Sequence, residues 1–181
     1  MISANLGNSV RRLREASKLS LRVLAERTGF SPSFLSQVEN GQASPSISSM
    51  ERIAEALGVT LGEFFQTAGA RRSPVVRRGA RATLNSGWSK ARIEALGADG
   101  QEGRLEPVVV TLEPGGTSAS RPHTSRREEF ALVLEGSVVL TLDQEEQVLG
   151  PDDAVTIRPG TPRLWQNRSE EPARILLVSA R

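Results

Sequence analysis

Ser20-Leu21-Arg22-Val23-Leu24-Ala25-Glu26-Arg27-Thr28-Gly29-Phe30-Ser31-Pro32-Ser33-Phe34-Leu35-Ser36-Gln37-Val38-Glu39-Asn40 contains two helix starts and the tight turn between them. Ser20 can cap a helix over 21–28, and Gly29 ends it. Ser31 then caps a second helix, with Pro32 at its first position, where a missing N–H costs nothing. That helix runs to Asn40, and Gly41 stops it. Two helices of about eight residues joined by a short glycine-containing turn make a helix-turn-helix. Ala25 lies where the helices approach closely and only a small side chain fits. Leu24, Leu35 and Val38 fill the space behind them. The outer face of the second helix presents Ser33, Ser36 and Gln37, whose hydroxyls and amide can hydrogen-bond base edges in a major groove.

The same reading extends in both directions. Val10 and Leu13 give helical spacing before the motif. After it, Ser46 caps a helix whose Ile47, Met50, Ile53, Ala54 and Leu57 share one face, and Gly58 terminates it. Thr60-Leu61-Gly62-Glu63 reads as a capping box opening a fifth helix with Leu61, Phe64 and Phe65. Residues 5–66 resemble the Xre (phage Cro/repressor-like) helix-turn-helix family throughout. Arg12-Leu13-Arg14, Leu19-Ser20-Leu21, Leu24-Ala25, Gly29-Phe30-Ser31, the run from Leu35 to Gly41, Pro45-Ser46-Ile47 and the run from Ile53 to Val59 carry the likeness. The resemblance implies a five-helix, lambda-repressor-like domain over 1–66 whose helix from Ser31 enters the major groove. It implies base contacts from Pro32, Ser33 and Gln37, to which the outer face adds Ser36. It implies phosphate contacts from Ser20, Ser31, Asn40 and Ser46. Arg14 and Glu39 match a pair that bridges the first and third helices. Leu21 and Pro32 stand where the family often has glutamine, so its sequence preference does not carry over.

Beyond residue 66 the pattern changes. Residues 67–78 are small, basic and interrupted by proline, which reads as a linker. Strands are expected over 107–112, 130–134, 137–142, 154–157 and 174–178, with Gly/Pro turns between them, as in an all-β sandwich or barrel. Residues 76–181 resemble a cupin, a small β-barrel or jelly roll, which is placed as a domain over 79–181. The likeness rests on Glu113-Pro114-Gly115-Gly116, His123, Glu129 through Gly136, Pro159-Gly160-Thr161-Pro162 and Asn167. The family's metal donors are only partly kept. His123 and Glu129 match, Ser125 stands at the second histidine, and Arg163 replaces the last one. A permanent cation at that place repels a divalent ion. No metal, no cofactor and no catalytic residue are therefore expected. Two readings of Arg163 stay open: a structural ion pair with Glu129, or a guanidinium fork for an anionic effector. The effector pocket would comprise His123, Ser125, Glu129, Arg163 and Trp165, the last on the same side of its strand as Arg163.

Composition bounds the rest. At 38% hydrophobic and 24% charged residues the chain is an ordinary globular protein. It has no cysteine, which excludes disulfides and thiolate chemistry. No apolar run is long enough for a membrane span, so no membrane is expected and the cytoplasm is the default. The net charge of +2 conceals a segregation: residues 67–92 hold seven Lys/Arg and no acid, whereas 93–181 hold nine Lys/Arg against fifteen Asp/Glu. A basic block beside a helix-turn-helix suggests a polyanionic partner. The expected function is a sequence-specific DNA-binding regulator, a repressor by the family's commoner habit. It would act as a homodimer on a near-palindromic double-stranded operator, with the barrel sensing a small, anionic effector. The alternatives are a DNA-tethered cupin enzyme and a barrel that serves dimerisation alone.

Overall fold

Three serines start three of the helices. In the computed structural model, which describes residues 6–59, 61, 75–97 and 104–180, the helices are α1 (Leu6–Ala16), α2 (Leu21–Thr28), α3 (Pro32–Glu39) and α4 (Ile47–Leu57). The Val23, Phe34 and Ser49 amides donate to Ser20, Ser31 and Ser46 at 3.2, 3.1 and 3.1 Å. Each cap satisfies an amide that the helix itself cannot. Gly29 closes α2 at φ 67°, a left-handed conformation open to glycine at little cost. Val10, Leu24, Ala25, Leu35, Val38, Ile53, Ala54 and Leu57 form the helical core. Gly7 brings α1 unusually close to α3: a Cβ there would lie 2.5 Å from the Val38 and Glu39 carbonyl oxygens. Four α-helices are thus described. The fifth, expected over 60–65, lies outside the described residues except for Leu61, and so does residues 67–74 of the expected linker.

Nine strands follow among the described residues: β1 (Thr83–Ser86), β2 (Ala91–Ala95), β3 (Leu105–Leu112), β4 (Glu129–Glu135), β5 (Val138–Leu142), β6 (Glu145–Leu149), β7 (Ala154–Ile157), β8 (Arg163–Gln166) and β9 (Ala173–Ala180). They form a six-stranded sheet, β1-β2-β3-β9-β4-β7, and a three-stranded sheet, β6-β5-β8. All named pairs are antiparallel. Ile93, Val110, Leu112, Val133, Leu140, Trp165, Ile175 and their neighbours fill the interior. Each expected strand has a counterpart. The unexpected ones are β1, β2, β6 and β8. Thr83-Leu84-Asn85-Ser86 is short and polar, and β6 is mostly exposed with two glutamates, so neither shows an apolar run.

Helix α4 belongs to both halves. Its C-terminal Ile53, Ala54 and Leu57 lie in the helical core, while Ile47 and Met50 lie in the barrel core. Burying each of the latter contributes about 1.5–3 kcal/mol. Polar contacts reinforce the seam. The Ser89 hydroxyl accepts from the Ile47 amide at 3.2 Å, and Ser86 donates to the Pro45 carbonyl at 2.7 Å. The Gly87 amide donates to Ser44 at 3.0 Å, and the Ser48 amide to the Ser118 carbonyl at 3.2 Å. Sequence patterning suggests two domains joined by a linker, and the structure adds a direct seam between them.

Candidate functional site

Two faces carry the residues singled out above. On α3, Pro32, Ser33 and Gln37 are exposed and Ser36 is half-buried. The helix is pinned from behind. Arg14 Nε and Nη2 donate to the two Glu39 carboxylate oxygens at 2.6 and 2.9 Å, and Arg11 Nε adds a third bond at 3.3 Å. This fork joins α1 to α3, as the Arg14–Glu39 match implied, and the Glu39 bond raises the Arg14 pKa. Ser20 and Ser31 are exposed beside their caps, and Asn40 is exposed while accepting from Arg11 Nη2 at 2.9 Å. Arg11 therefore belongs to this face, although nothing in the helix-turn-helix pattern singled it out. Ser46 differs from the other three serine and asparagine positions. It is only 9% exposed, and its hydroxyl is engaged with Ser48, Ser49 and the Ser49 amide. It is less open to a phosphate than Ser20, Ser31 and Asn40.

The second face is inside the barrel mouth. The segment before β4 forms an isolated bridge, with the His123 and Arg163 main chains exchanging bonds of 3.0 and 2.9 Å. Arg163, 2% exposed, donates from Nη2 to Glu129 Oε1 at 2.6 Å. Both alternation and burial put Trp165 on the same inner side as Arg163. Ser125 lines the cavity that also holds Glu51, His123 and Glu129, and its hydroxyl accepts from the Arg127 amide at 3.0 Å. At this second face the sequence reading missed Glu51 of α4. Its Oε2 lies 3.1 Å from His123 Nε2 and 3.5 Å from Arg163 Nη2. The helical half thus supplies a carboxylate to the barrel site. Glu51 was invisible because it lies between core positions on a helix that looked complete without it.

The chamber behind these residues is lined by Val110, Leu112, Trp165, Ile175 and Leu177, and has about 10 Å³ of room, the space of a single water. Around it, His123 Nδ1, Glu129 Oε2, Arg163 Nη1 and Trp165 Nε1 are buried without a hydrogen-bond partner among the described residues. Burying such groups unpaired is costly. The donor set does not fit a divalent metal. A guanidinium occupies the position of a ligand, it holds Glu129 Oε1, and Ser125 is committed to a turn.

Electrostatics divide the two carboxylates. Burial opposes ionisation of Glu51, but the His123 hydrogen bond and the Arg163 charge outweigh it and lower its pKa. Burial and then the Glu51 charge push Glu129 up to about 7, against the opposing pull of Arg163. A buried acid raised in the folded state binds its proton more tightly there than in the unfolded chain. Stability should therefore fall as pH rises from about 4.5 to about 7, at no more than about 1.4 kcal/mol per pH unit. Urea unfolding of wild type and Glu129→Gln across that window should show this slope in the former and its loss in the latter. Equal slopes would contradict the assignment.

Comparison with known proteins agrees with both halves. The helix-turn-helix pattern (HTH_3) matches residues 10–64, and the cupin-domain pattern (Cupin_2) matches residues 108–179. The HTH-type transcriptional regulator PuuR of Escherichia coli K12 is 27% identical over 170 residues, spanning 94% of this chain and 91% of that protein. An HTH_3 family transcriptional regulator from Vibrio cholerae superposes with a TM-score of 0.74 at 24% identity, over 98% of this chain and 96% of that one. The hydroxypropylphosphonic acid epoxidase of S. wedmorenis shares the fold at a TM-score of 0.51 and 20% identity, over 98% of this chain and 97% of that one. The same two-part frame therefore also carries an enzyme, so fold alone does not assign an activity.

Proposed function

The chain belongs to the Xre-like helix-turn-helix regulators that carry a C-terminal cupin domain, and from that premise we propose how its two faces divide the work. It is a DNA-binding transcription regulator, and a repressor in our reading. Helix α3 enters the major groove, where Pro32, Ser33, Ser36 and Gln37 meet base edges. Ser20, Ser31, Asn40 and Arg11 meet the phosphates on either side. The observation that carries this is the exposed outer face of α3 held rigidly by the buried Glu39 fork. Rigid presentation is what a base-reading helix needs, because a misplaced donor forfeits its bond.

The barrel takes a small anionic effector on Arg163. The buried guanidinium with an unpartnered Nη1 supports this, since an anion satisfies it in a planar, two-bond geometry. An enzymatic reading draws on the epoxidase likeness but meets an unfavourable site. His123, the only histidine in the chain, is engaged by Glu51 rather than paired with Glu129. We therefore favour a regulator without catalytic activity, working in the cytoplasm where its DNA lies.

A single small helical domain makes few phosphate contacts, so two copies joined through their barrels are expected on a near-palindromic operator. Light scattering should give about 39 kDa, twice the chain's 19.5 kDa. Affinity for an operator duplex should fall roughly 10³- to 10⁵-fold between about 50 and 200 mM salt, as expected for 6–10 phosphate contacts. A monomer that binds duplexes with little salt dependence would overturn this assembly.

A further inference from the structure

Helix α4 brings a carboxylate of its own to the place where an effector acid would bind. Glu51 Oε2 faces both His123 Nε2 and Arg163 Nη2, and the side chain keeps a quarter of its surface exposed. Its entry accompanies Ile47 and Met50, which belong to the barrel core. With these side chains in place the inner chamber has room for one water, although His123, Arg163 and Trp165 in its lining each carry an unpartnered buried polar atom, and the adjoining cavity beside Glu51, His123 and Glu129 has about 80 Å³. We propose that Glu51 is a built-in competitor for a site that binds a small carboxylic acid with an apolar body, and that the incoming acid displaces Glu51 and loosens α4 from the barrel.

The proposal rests on the reading that the barrel binds an anion at Arg163, and it deepens that reading. Three features define the ligand. A carboxylate in exchange for a carboxylate leaves the charge of the chamber unchanged and keeps a partner for His123 and Arg163. The groups facing that position are Glu51 from α4, His123 from the bridge, Arg163 from β8 and Glu129 from β4, with Arg127 held to Glu106 close by. The inner wall of Val110, Leu112, Trp165, Ile175 and Leu177 suits an apolar body rather than a second charge. Because Glu51 is one helical turn from Ile47, an acid that evicts Glu51 pulls on the α4 residues that seal the barrel mouth. Helix α4 also packs in the core that holds α3, so displacement there reaches the recognition helix through contiguous packing. Coupling of this kind needs a ligand that binds one arrangement better than the other, and Glu51 supplies that difference.

The test removes the competitor and returns its missing atoms. Glu51→Ala deletes a fragment equivalent to acetate, and Glu51→Gln serves as a second variant that preserves packing. Acetate, benzoate and the neutral acetamide are titrated into wild type, each Glu51 variant and Glu51→Ala/Arg163→Gln at constant ionic strength. Thermal shift and amide exchange over residues 47–51 are the readouts. Acetate and benzoate should bind Glu51→Ala at least ten times more tightly than wild type, with benzoate the tighter, and the double variant should lose that binding. Acetamide should not discriminate. In wild type, saturating benzoate should increase amide exchange at the start of α4.

Other outcomes separate the claims. If acids bind wild type and both Glu51 variants equally but need Arg163, the anion site stands and Glu51 is not a competitor. If acetate prefers Glu51→Ala but benzoate does not enter, the apolar ligand class is wrong. Acid binding with unchanged α4 exchange would refute the coupling. If acetate fails to bind any of these proteins, both this inference and the anion reading fall.

Discussion

Replacing Arg163 with leucine is expected to lower the unfolding free energy by about 3–5 kcal/mol, the usual cost of stripping one partner from a buried ion pair. The guanidinium holds Glu129 at 2.6 Å and lies within 3.5 Å of Glu51, so its removal leaves the two carboxylates without the cation they share. Glu129 partly relieves this by taking up a proton, because burial and the Glu51 charge already push its pKa to about 7. The loss should therefore be smaller at pH 6 than at pH 8. Removing both partners should be milder than removing one: Arg163→Leu with Glu129→Leu should recover much of the stability, since paired apolar replacement is often neutral. Urea denaturation of the two variants at both pH values decides the matter. A single substitution costing under about 1 kcal/mol would mean that the pair is incidental to the barrel. Arg163→Leu should also abolish any response of operator affinity to acids.

The second large effect is expected at Gln37. Its amide can accept and donate together, which suits the N6/N7 edge of an adenine, and a good two-bond contact is worth about 1–3 kcal/mol of discrimination. A dimer carries Gln37 twice. Gln37→Ala should therefore weaken operator binding by about 2–6 kcal/mol and relax the preference at one symmetry-related position in each half-site. Binding to unrelated duplex should change little, because the substitution touches no phosphate contact. Gln37 is exposed and contributes nothing to the helical core, so circular dichroism should remain that of wild type. A uniform loss on all sequences would instead assign Gln37 to the phosphate backbone.

How much of this was legible beforehand depended on whether the signal was local. The caps at Ser20, Ser31 and Ser46 and the stop at Gly29 act within a few residues, so they were readable and hold in the structure. The Glu39 fork was readable because its partners match a repeated family pattern. Trp165 followed Arg163 into the barrel because strand alternation has a period of two. Glu51 was not readable. Its role comes from the docking of α4 on the barrel, between residues more than seventy positions apart, and no local periodicity reports that. Ser46 illustrates the converse: its cap was predictable, but its burial beside the seam with the barrel was not, since the seam joins residues some forty positions apart. Ser125 likewise stood at a ligand position by spacing, while its hydroxyl closes a turn on the Arg127 amide.

The central claim is that this chain reads DNA sequence through α3, and selection from a pool of random duplexes tests it most directly. Purified full-length protein is incubated with the pool, bound duplexes are amplified and sequenced over several rounds, and the procedure is repeated with Gln37→Ala. The account predicts enrichment of one near-palindromic site with half-sites about one helical turn apart, and loss of preference at one symmetry-related position in the variant. A pool that stays random after selection, or one whose enriched site is unaffected by Gln37→Ala, would contradict it.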